Sequence, residues 1–423
     1  MALEDYRADV LRCSRCSYCK WIPFDHVKSW RFAKGCPSID YNKFQPYSAA
    51  GRLVTGLSLM DGRCDVTDRV IDIAFKCQLC GSCDVACKVC RYDMEPLLAL
   101  HELRFKLVEE GHTLPQNTPV MEGFRKEHNM LMKPKGQRGK WADGLKVKDL
   151  SKEKAEVVFH AGCRSSYDQD LSQVPGISAS ILQKAGVDFG ILGKAETCCG
   201  GRAFHMGYRA DFTNAAKHMV KAWANAGVKT VVTACADCFH TFTRLYPEVG
   251  SQVEVLHMVE FVDRLVRQGK IKFTRPVTMK ITYHDPCHLG RQGESYVPWK
   301  GKERKIFGQA VVYDPPRPRY NGAKGVYESP RNVLKAICGL ELVEMERIKE
   351  ASWCCGAGGG VRDAYPEFSS WTAGERIEEA MSTGAEAIVS ACPWCERNFK
   401  DAVNAIGGTM KVFDVMDLVQ QAI

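Results

Sequence analysis

No stretch of this chain approaches the ~20 consecutive apolar residues that a bilayer-spanning helix needs. Its start, "MALEDYRADV", has two early acids and no apolar core, so it does not read as a secretory signal. Both absences lead to the expectation of a soluble, cytoplasmic protein that meets a membrane only through a partner. No G-x-G-x-x-G follows a strand-like run, which argues against a resident nucleotide or flavin site. A disulfide framework is also unsupported: the cysteine count is odd, the cysteines are tightly clustered, and no export signal accompanies them.

Cysteine itself is in excess, at 21 of 423 residues. Thiols kept reduced in such number are expected to be metal ligands. The remaining composition, 45% hydrophobic and 26% charged, is ordinary and allows two or three domains. The formal charge of +8 counts every thiol as neutral. A 4Fe–4S cubane held by four thiolates contributes about −2 when oxidised, so the holoprotein would lie closer to neutral. A nucleic-acid partner is not expected on that balance.

Cys13, Cys16 and Cys19 fall in "CSRCSYC", and Cys36 precedes Pro37. Cys77, Cys80, Cys83 and Cys87 fall in "CQLCGSCDVAC". Three cysteines at two-residue gaps plus a distant fourth is the bacterial ferredoxin pattern, in which the fourth serves the other cluster. One cubane is therefore assigned to Cys13, Cys16, Cys19 and Cys87, and a second to Cys77, Cys80, Cys83 and Cys36. Structural zinc is the alternative, but its knuckles come as separated pairs, not triplets. Lys88 stands where the pattern has proline, which leaves Cys90 as a substitute for Cys87. Cys64 fits no motif and reads as a buried small hydrophobe.

Residues 125–154 hold ten Lys or Arg against four acids and read as a solvated connector. From about 155 onward, β-branched runs alternate with amphipathic stretches, the pattern of βαβ units on a parallel sheet. The pattern also repeats. "VVFHAGC" at 157 returns as "ITYHDPC" at 281, and "CCGGRAF" at 198 as "CCGAGGGVR" at 354. "KTVVTACADCFHTF" at 229 returns as "AEAIVSACPWCERNF" at 385, and "VEVLHMVEFVDRLV" at 253 as "MKVFDVMDLVQQAI" at the end. The expected organisation is a two-cubane module over 1–110, a basic linker over 111–154, and two α/β units over 155–270 and 271–423. The fold class is α+β overall, with a helical ferredoxin-like domain before two parallel-sheet repeats.

Cys163, Cys235, Cys287 and Cys392 each follow the C-terminal end of an apolar strand, where ligand sites gather in parallel α/β sheets. The vicinal pairs Cys198–Cys199 and Cys354–Cys355 open glycine-rich turns whose free N–H groups favour anions. With Cys238 and Cys395, each unit offers five sulfurs. One tetrahedral zinc wants four. A vicinal redox disulfide would leave the three partner cysteines unexplained. Adjacent sulfurs can instead ligate different irons of one cluster or bridge two of them, with N–H groups from the glycine turns donating to the inorganic sulfides.

These repeated cysteine–cysteine–glycine units resemble the CCG-domain proteins of the heterodisulfide reductase group. A two-cubane module followed by two such units resembles the fused, D-type subunit. Related architectures serve glycolate and lactate oxidases and class II benzoyl-CoA reductase complexes. "DPCHLGR" and "CCGAGGG" with a trailing C-x₂-C carry the resemblance. It implies that Cys163, Cys198, Cys199, Cys235 and Cys238 hold one non-cubane 4Fe–4S cluster. Cys287, Cys354, Cys355, Cys392 and Cys395 would hold another, giving four clusters in all.

The implied function is an anaerobic iron–sulfur electron-transfer subunit with heterodisulfide reductase-like chemistry. Its implied partners are other redox subunits, a flavoprotein among them, and a disulfide substrate. The alternatives are a pure electron conduit and a zinc-stabilised interaction protein. The second unit departs from the first by an insertion at about 291–324, basic, aromatic and proline-rich, read as a surface excursion or a docking element. Cys338 reads as core. Histidines 160, 240, 284 and 288 read as hydrogen-bonders beside the ligands, with His240 or His288 available as proton donor.

Overall fold

The computed structural model describes residues 2–90, 94–295, 297, 299–308 and 310–423. Short helices build the cysteine-dense amino-terminal part. Ser48 caps Ala49–Met60 by accepting the Gly51 N–H at 3.1 Å, and Thr67 caps Asp68–Phe75 by accepting that of Val70 at 3.4 Å. Pro96 opens Pro96–Glu109, where its missing N–H costs nothing. That helix buries Leu97, Leu100, Leu103, Phe105 and Leu107 together with Arg104, so it is covered on more than one face.

The two cysteine triplets share one backbone course. Arg15 and Ser17 flank Cys16 at φ of 58° and 67°, and Leu79 and Gly81 flank Cys80 at 51° and 79°. Three of the four are not glycine, and left-handed strain of this kind collects where a chain is clamped to a ligand. Ser17→Gly is accordingly expected to stabilise the loop by about 0.5–1 kcal/mol. A raised thermal midpoint for loss of visible absorbance checks this, and a lowered one counts against it.

Eleven strands are described, labelled in chain order: β1 (Lys148–Asp149), β2 (Val157–His160), β3 (Phe189–Ile191), β4 (Thr230–Thr233), β5 (Glu254–His257), β6 (Met279–Tyr283), β7 (Lys302–Ile306), β8 (Ala310–Asp314), β9 (Leu340–Val343), β10 (Ala387–Ser390) and β11 (Lys411–Asp414). The first sheet is parallel in the order β1-β3-β2-β4-β5, and the second is parallel in the order β11-β10-β6-β9. Apart from β1, the units have one topology: the first strand lies between the second and third, with the fourth outside the third. The central strands β2, β4 and β10 are Val-, Ile- and Thr-rich and buried nearly throughout, as strands covered on both faces must be.

The units pack reciprocally. Met258–Arg267, which ends the first, packs on Glu328–Ala336 of the second, and Val415–Ala422, which ends the second, packs on Gln173–Lys184 of the first. One continuous apolar core spans both sheets.

Two sequence expectations change here. Residues 125–154 are not a solvated strip. Met130 and Leu150 join the core beside Val120, Met121 and Phe124, and β1 extends the first sheet by pairing with β3. The lysines lie on the outer face, and the buried Arg138 pairs with the buried Glu196 at 2.8 Å. The insertion, in turn, begins later than residue 291. Arg291, Gln292 and Glu294 are buried, and Glu294 accepts the Gly322 N–H at 2.7 Å, closing the base of the excursion. Beyond that base, β7 and β8 form an antiparallel hairpin.

Candidate metal centres

Within each unit the first and third strands are neighbours, while the connections from them run to opposite sides. The gap at their carboxyl ends is the crevice where open α/β sheets bind ligands. Cys163 and Cys235 follow β2 and β4 into that gap, and Cys287 and Cys392 follow β6 and β10 into its counterpart. The vicinal pairs arrive on turns where Gly200 and Gly356 take φ of 82° and 92°. There the Gly200 N–H points at Cys198 Sγ (3.5 Å) and the Gly356 N–H at Cys354 Sγ (3.3 Å). One cavity is lined by Cys163, Cys198, Cys199, Cys235 and Cys238, with Cys163 and Cys198 sulfurs 3.9 Å apart. The other is lined by Cys287, Cys355, Cys392 and Cys395, and Cys354, which precedes Cys355 in the chain, lies within electrostatic reach of Cys287.

The glycines of "GAGGG" have a further use. A Cβ on Gly358 or Gly359 would lie 2.6 Å from the carbonyl oxygen of Gln78 or Cys77, so this turn is flat against the amino-terminal cysteine loop.

In the amino-terminal part, Cys13, Cys16, Cys19 and Cys87 line one cavity. Cys36 lies within electrostatic reach of Cys77 and Cys80, as does Cys83, so those four form a second group. Burial pushes the thiols of Cys36 and Cys87 up to about 12 and that of Cys83 well above the ordinary value. Such thiols become thiolates when a cation displaces their protons.

Buried arginines give an independent fit test for an anionic metal group. Arg52 donates to the carbonyls of Tyr47, Ile73 and Lys76, and Arg104 to those of Ala74, Phe75, Cys77, His205 and Gly359. Arg291 donates to those of Cys80, Glu350 and Ser352. Among the described residues none of the three is ion-paired with a carboxylate, although buried charge normally requires a counter-charge. Burial works against the Arg291 charge, and the sulfurs of Cys80, Cys287 and Cys354 more than offset it. A cysteine-held iron–sulfur group, net negative, supplies what these cations lack.

The four sulfur groups are in series. Cys19 of the first group lies within electrostatic reach of Cys83 of the second. Cys80 of the second lies within electrostatic reach of Cys354 of the third, and Cys392 of the third within reach of Cys235 of the fourth. Exposure falls along the same line: Cys16 is exposed and Cys13 half-buried, whereas all five cysteines of the last group are buried.

Several residues of the site were not legible beforehand. Arg202, Asp237 and Trp394 line both of the last two cavities and form their common wall. Arg164 and Arg202 each stack on the Trp394 ring at 4.2 Å. His288 Nδ1 lies 2.9 Å from Asp237 Oδ1, and His240 Nδ1 lies 2.8 Å from the Gln292 carbonyl. His205, which no motif singled out, joins them in a buried trio. Of the other histidines, His160 faces Glu196 at 3.5 Å and His284 accepts from Arg376 at 3.1 Å. Cys64 and Cys338 are exposed, against expectation. Cys64 falls in the turn after Ala49–Met60, and Cys338 in the turn before β9, where neither meets the core. The side chain of Cys90 lies outside the described residues.

Comparison with known proteins places this arrangement. The cysteine-rich CCG domain matches residues 157–243 and 318–400. The D-type subunit of the dihydromethanophenazine:CoB–CoM heterodisulfide reductase of Methanosarcina mazei is 33% identical over 352 residues, covering 81% of this chain and 77% of that protein. The EtfAB:quinone oxidoreductase of Syntrophomonas wolfei is 28% identical over 363 residues, covering 81% of this chain and 46% of its own. The B-type subunit of the CoM/CoB fumarate reductase of Methanothermobacter marburgensis is 26% identical over 355 residues, covering 82% and 61%. The crystal structure of a hypothetical protein from Helicobacter pylori superposes with a TM-score of 0.53 over 89% of this chain and 67% of that one, at 9% identity, a likeness of fold alone.

Proposed function

Because the chain belongs to the family of D-type heterodisulfide reductase subunits, which are CCG-domain proteins, we propose that it carries electrons along four iron–sulfur sites to a disulfide. It is an iron–sulfur oxidoreductase subunit. Two ferredoxin-type cubanes would be held by Cys13, Cys16, Cys19 and Cys87 and by Cys36, Cys77, Cys80 and Cys83. Two non-cubane clusters would be held by the CCG sets, and the domain division at 1–110, 155–270 and 271–423 follows from that assignment. The observation that carries this reading is the unbroken sulfur series from exposed Cys16 to the buried Cys235 group.

When bound, the clusters supply one-electron chemistry, and those of the CCG sets would act on the sulfur–sulfur bond. Opening RS–SR′ consumes two electrons and two protons and yields two thiols. The chain's part is to hold the substrate and the protons. Arg164 and Arg202, stacked on Trp394 and paired with Asp168 and Asp363, would attract a thiolate in the cavity they both line. His288, oriented by Asp237, would hold a proton, whereas His240, kept neutral by burial, would accept or relay one with its ring set by the Gln292 carbonyl.

A pure conduit is the second reading, favoured by the likeness to a quinone oxidoreductase over the same share of the chain. Among the described residues no helix is long and apolar enough to cross a membrane. A flavoprotein is the partner proposed on the donor side. Anaerobically purified protein is expected to hold about sixteen irons with matching acid-labile sulfide and to reduce disulfides once itself reduced. About eight irons, with cluster loss excluded, would refute the CCG assignment. Sixteen irons without disulfide turnover would leave the conduit.

A further inference from the structure

The base of the second unit's hairpin lies beside the outermost sulfur group, although the two are far apart along the chain. Arg317 Nη1 reaches Asp9 Oδ1 at 3.1 Å, and the Arg12 guanidinium stacks on Tyr313 at 4.6 Å. Both partners belong to the helix Arg7–Arg12, which ends at Cys13. At the other end of that sulfur group, Lys88 Nζ, next to Cys87, donates to the Tyr320 carbonyl at 2.9 Å. Trp299, Tyr313 and Arg317 stiffen the base, with the Arg317 guanidinium 4.0 Å over Tyr313 and 5.2 Å over Trp299.

Beyond the base the hairpin projects into solvent. Every residue of β7 is exposed, and Phe307 at its turn is 98% exposed. Residues 300–305 carry Lys300, Lys302, Arg304 and Lys305 against Glu303 alone. The segment 291–324 as a whole holds eight Lys or Arg against three Asp or Glu. A chain that needed only to cover a cluster would have no use for an arm of basic residues tipped by a phenylalanine.

We propose that this hairpin is the docking arm for an acidic one-electron donor protein, which it brings to the Cys13–Cys16–Cys19–Cys87 site. The inference rests on the electron-transfer reading above and adds the entry point and the charge of the donor. In each encounter the donor loses one electron and the first site gains it. Basic side chains on the hairpin raise the encounter rate with an acidic partner, and exposed Phe307 at its turn offers an apolar contact. A membrane or a nucleic acid would be met equally well by a basic patch anywhere on the chain. Only a redox partner requires the charge to stand on a hairpin whose base packs against the helix leading into Cys13.

The test uses holoprotein and reduced flavodoxin as an acidic probe, with dithionite as a small reductant that needs no docking surface. The expected rate with flavodoxin falls at least ~10-fold in K302E/R304E/K305E, and also when salt rises from about 0.1 M to 1 M, which shortens the Debye length from about 10 Å to 3 Å. Phe307→Ser is expected to lose several-fold at all salt concentrations. The dithionite rate should be unchanged in every variant. An undiminished flavodoxin rate in the triple variant overturns the proposal, as does an equal loss with dithionite. Binding to phosphatidylserine vesicles that the triple variant abolishes, with flavodoxin reduction intact, would reassign the arm to a membrane surface. Failure of dithionite to reduce the wild type would overturn the electron-transfer reading, and this inference with it.

Discussion

Arg104→Leu is expected to lower the temperature at which the protein loses its iron–sulfur absorbance by roughly 10 °C, about 4 kcal/mol at the scale of large domains. Its guanidinium donates to five carbonyls drawn from three places: Ala74, Phe75 and Cys77 before the second sulfur group, His205 in the first CCG unit and Gly359 in the second. Leucine would leave all five acceptors buried, each at about 1–3 kcal/mol before relaxation. Burial lowers the Arg104 pKa to about 10, so the group remains charged at neutral pH. The substitution thus also removes a cation that faces the Cys77 group. Arg104→Lys keeps the charge but replaces a planar five-donor fork by three donors on one nitrogen, and should recover only part of the loss. Iron content measured with the melt separates the two contributions. A lysine variant as stable as wild type would show that charge alone matters here, and a leucine variant that melts normally would remove Arg104 from any structural role.

The same residue shows where sequence reading stops. Motif spacing brought Cys13, Cys16, Cys19 and Cys87 into one group, because ligand spacing is local and the metal's demand for sulfur is narrow. The repeat was legible because three of the four strands in each unit carry matched blocks. The strands β3 and β9 were not seen, because "FGI" and "LELV" share no matched block between the two units. The segment 125–154 misled because its lysines are many and outward, while the few residues that decide its packing, Met130 and Leu150, are scattered among them. Arg202, Asp237 and Trp394 stood inside quoted motifs, in "CCGGR", "CADC" and "CPWC", yet a spacing argument reads the cysteines and passes over what lies between. Their joint role depends on how two homologous units face each other, and a single repeat does not encode that.

The series arrangement makes two cysteine substitutions differ in kind although each removes one site. Cys199→Ser strikes the last group, where Cys199 lines one cavity with Cys198 and Cys238. The expected protein retains about twelve irons and both cubane signals, still accepts electrons, and reduces disulfides at background rate. Cys80→Ser strikes the second group at the cysteine within electrostatic reach of Cys354. That protein also retains about twelve irons, and both CCG signals persist, yet donor-driven disulfide reduction falls to background because the entry site is cut off from the chemistry. A small reductant that reaches the CCG sites directly should restore turnover to Cys80→Ser and not to Cys199→Ser. Loss of cubane signals in Cys199→Ser would refute the partition of ligands. Normal donor-driven turnover in Cys80→Ser would refute the order, because electrons would then have a route that does not pass between Cys80 and Cys354.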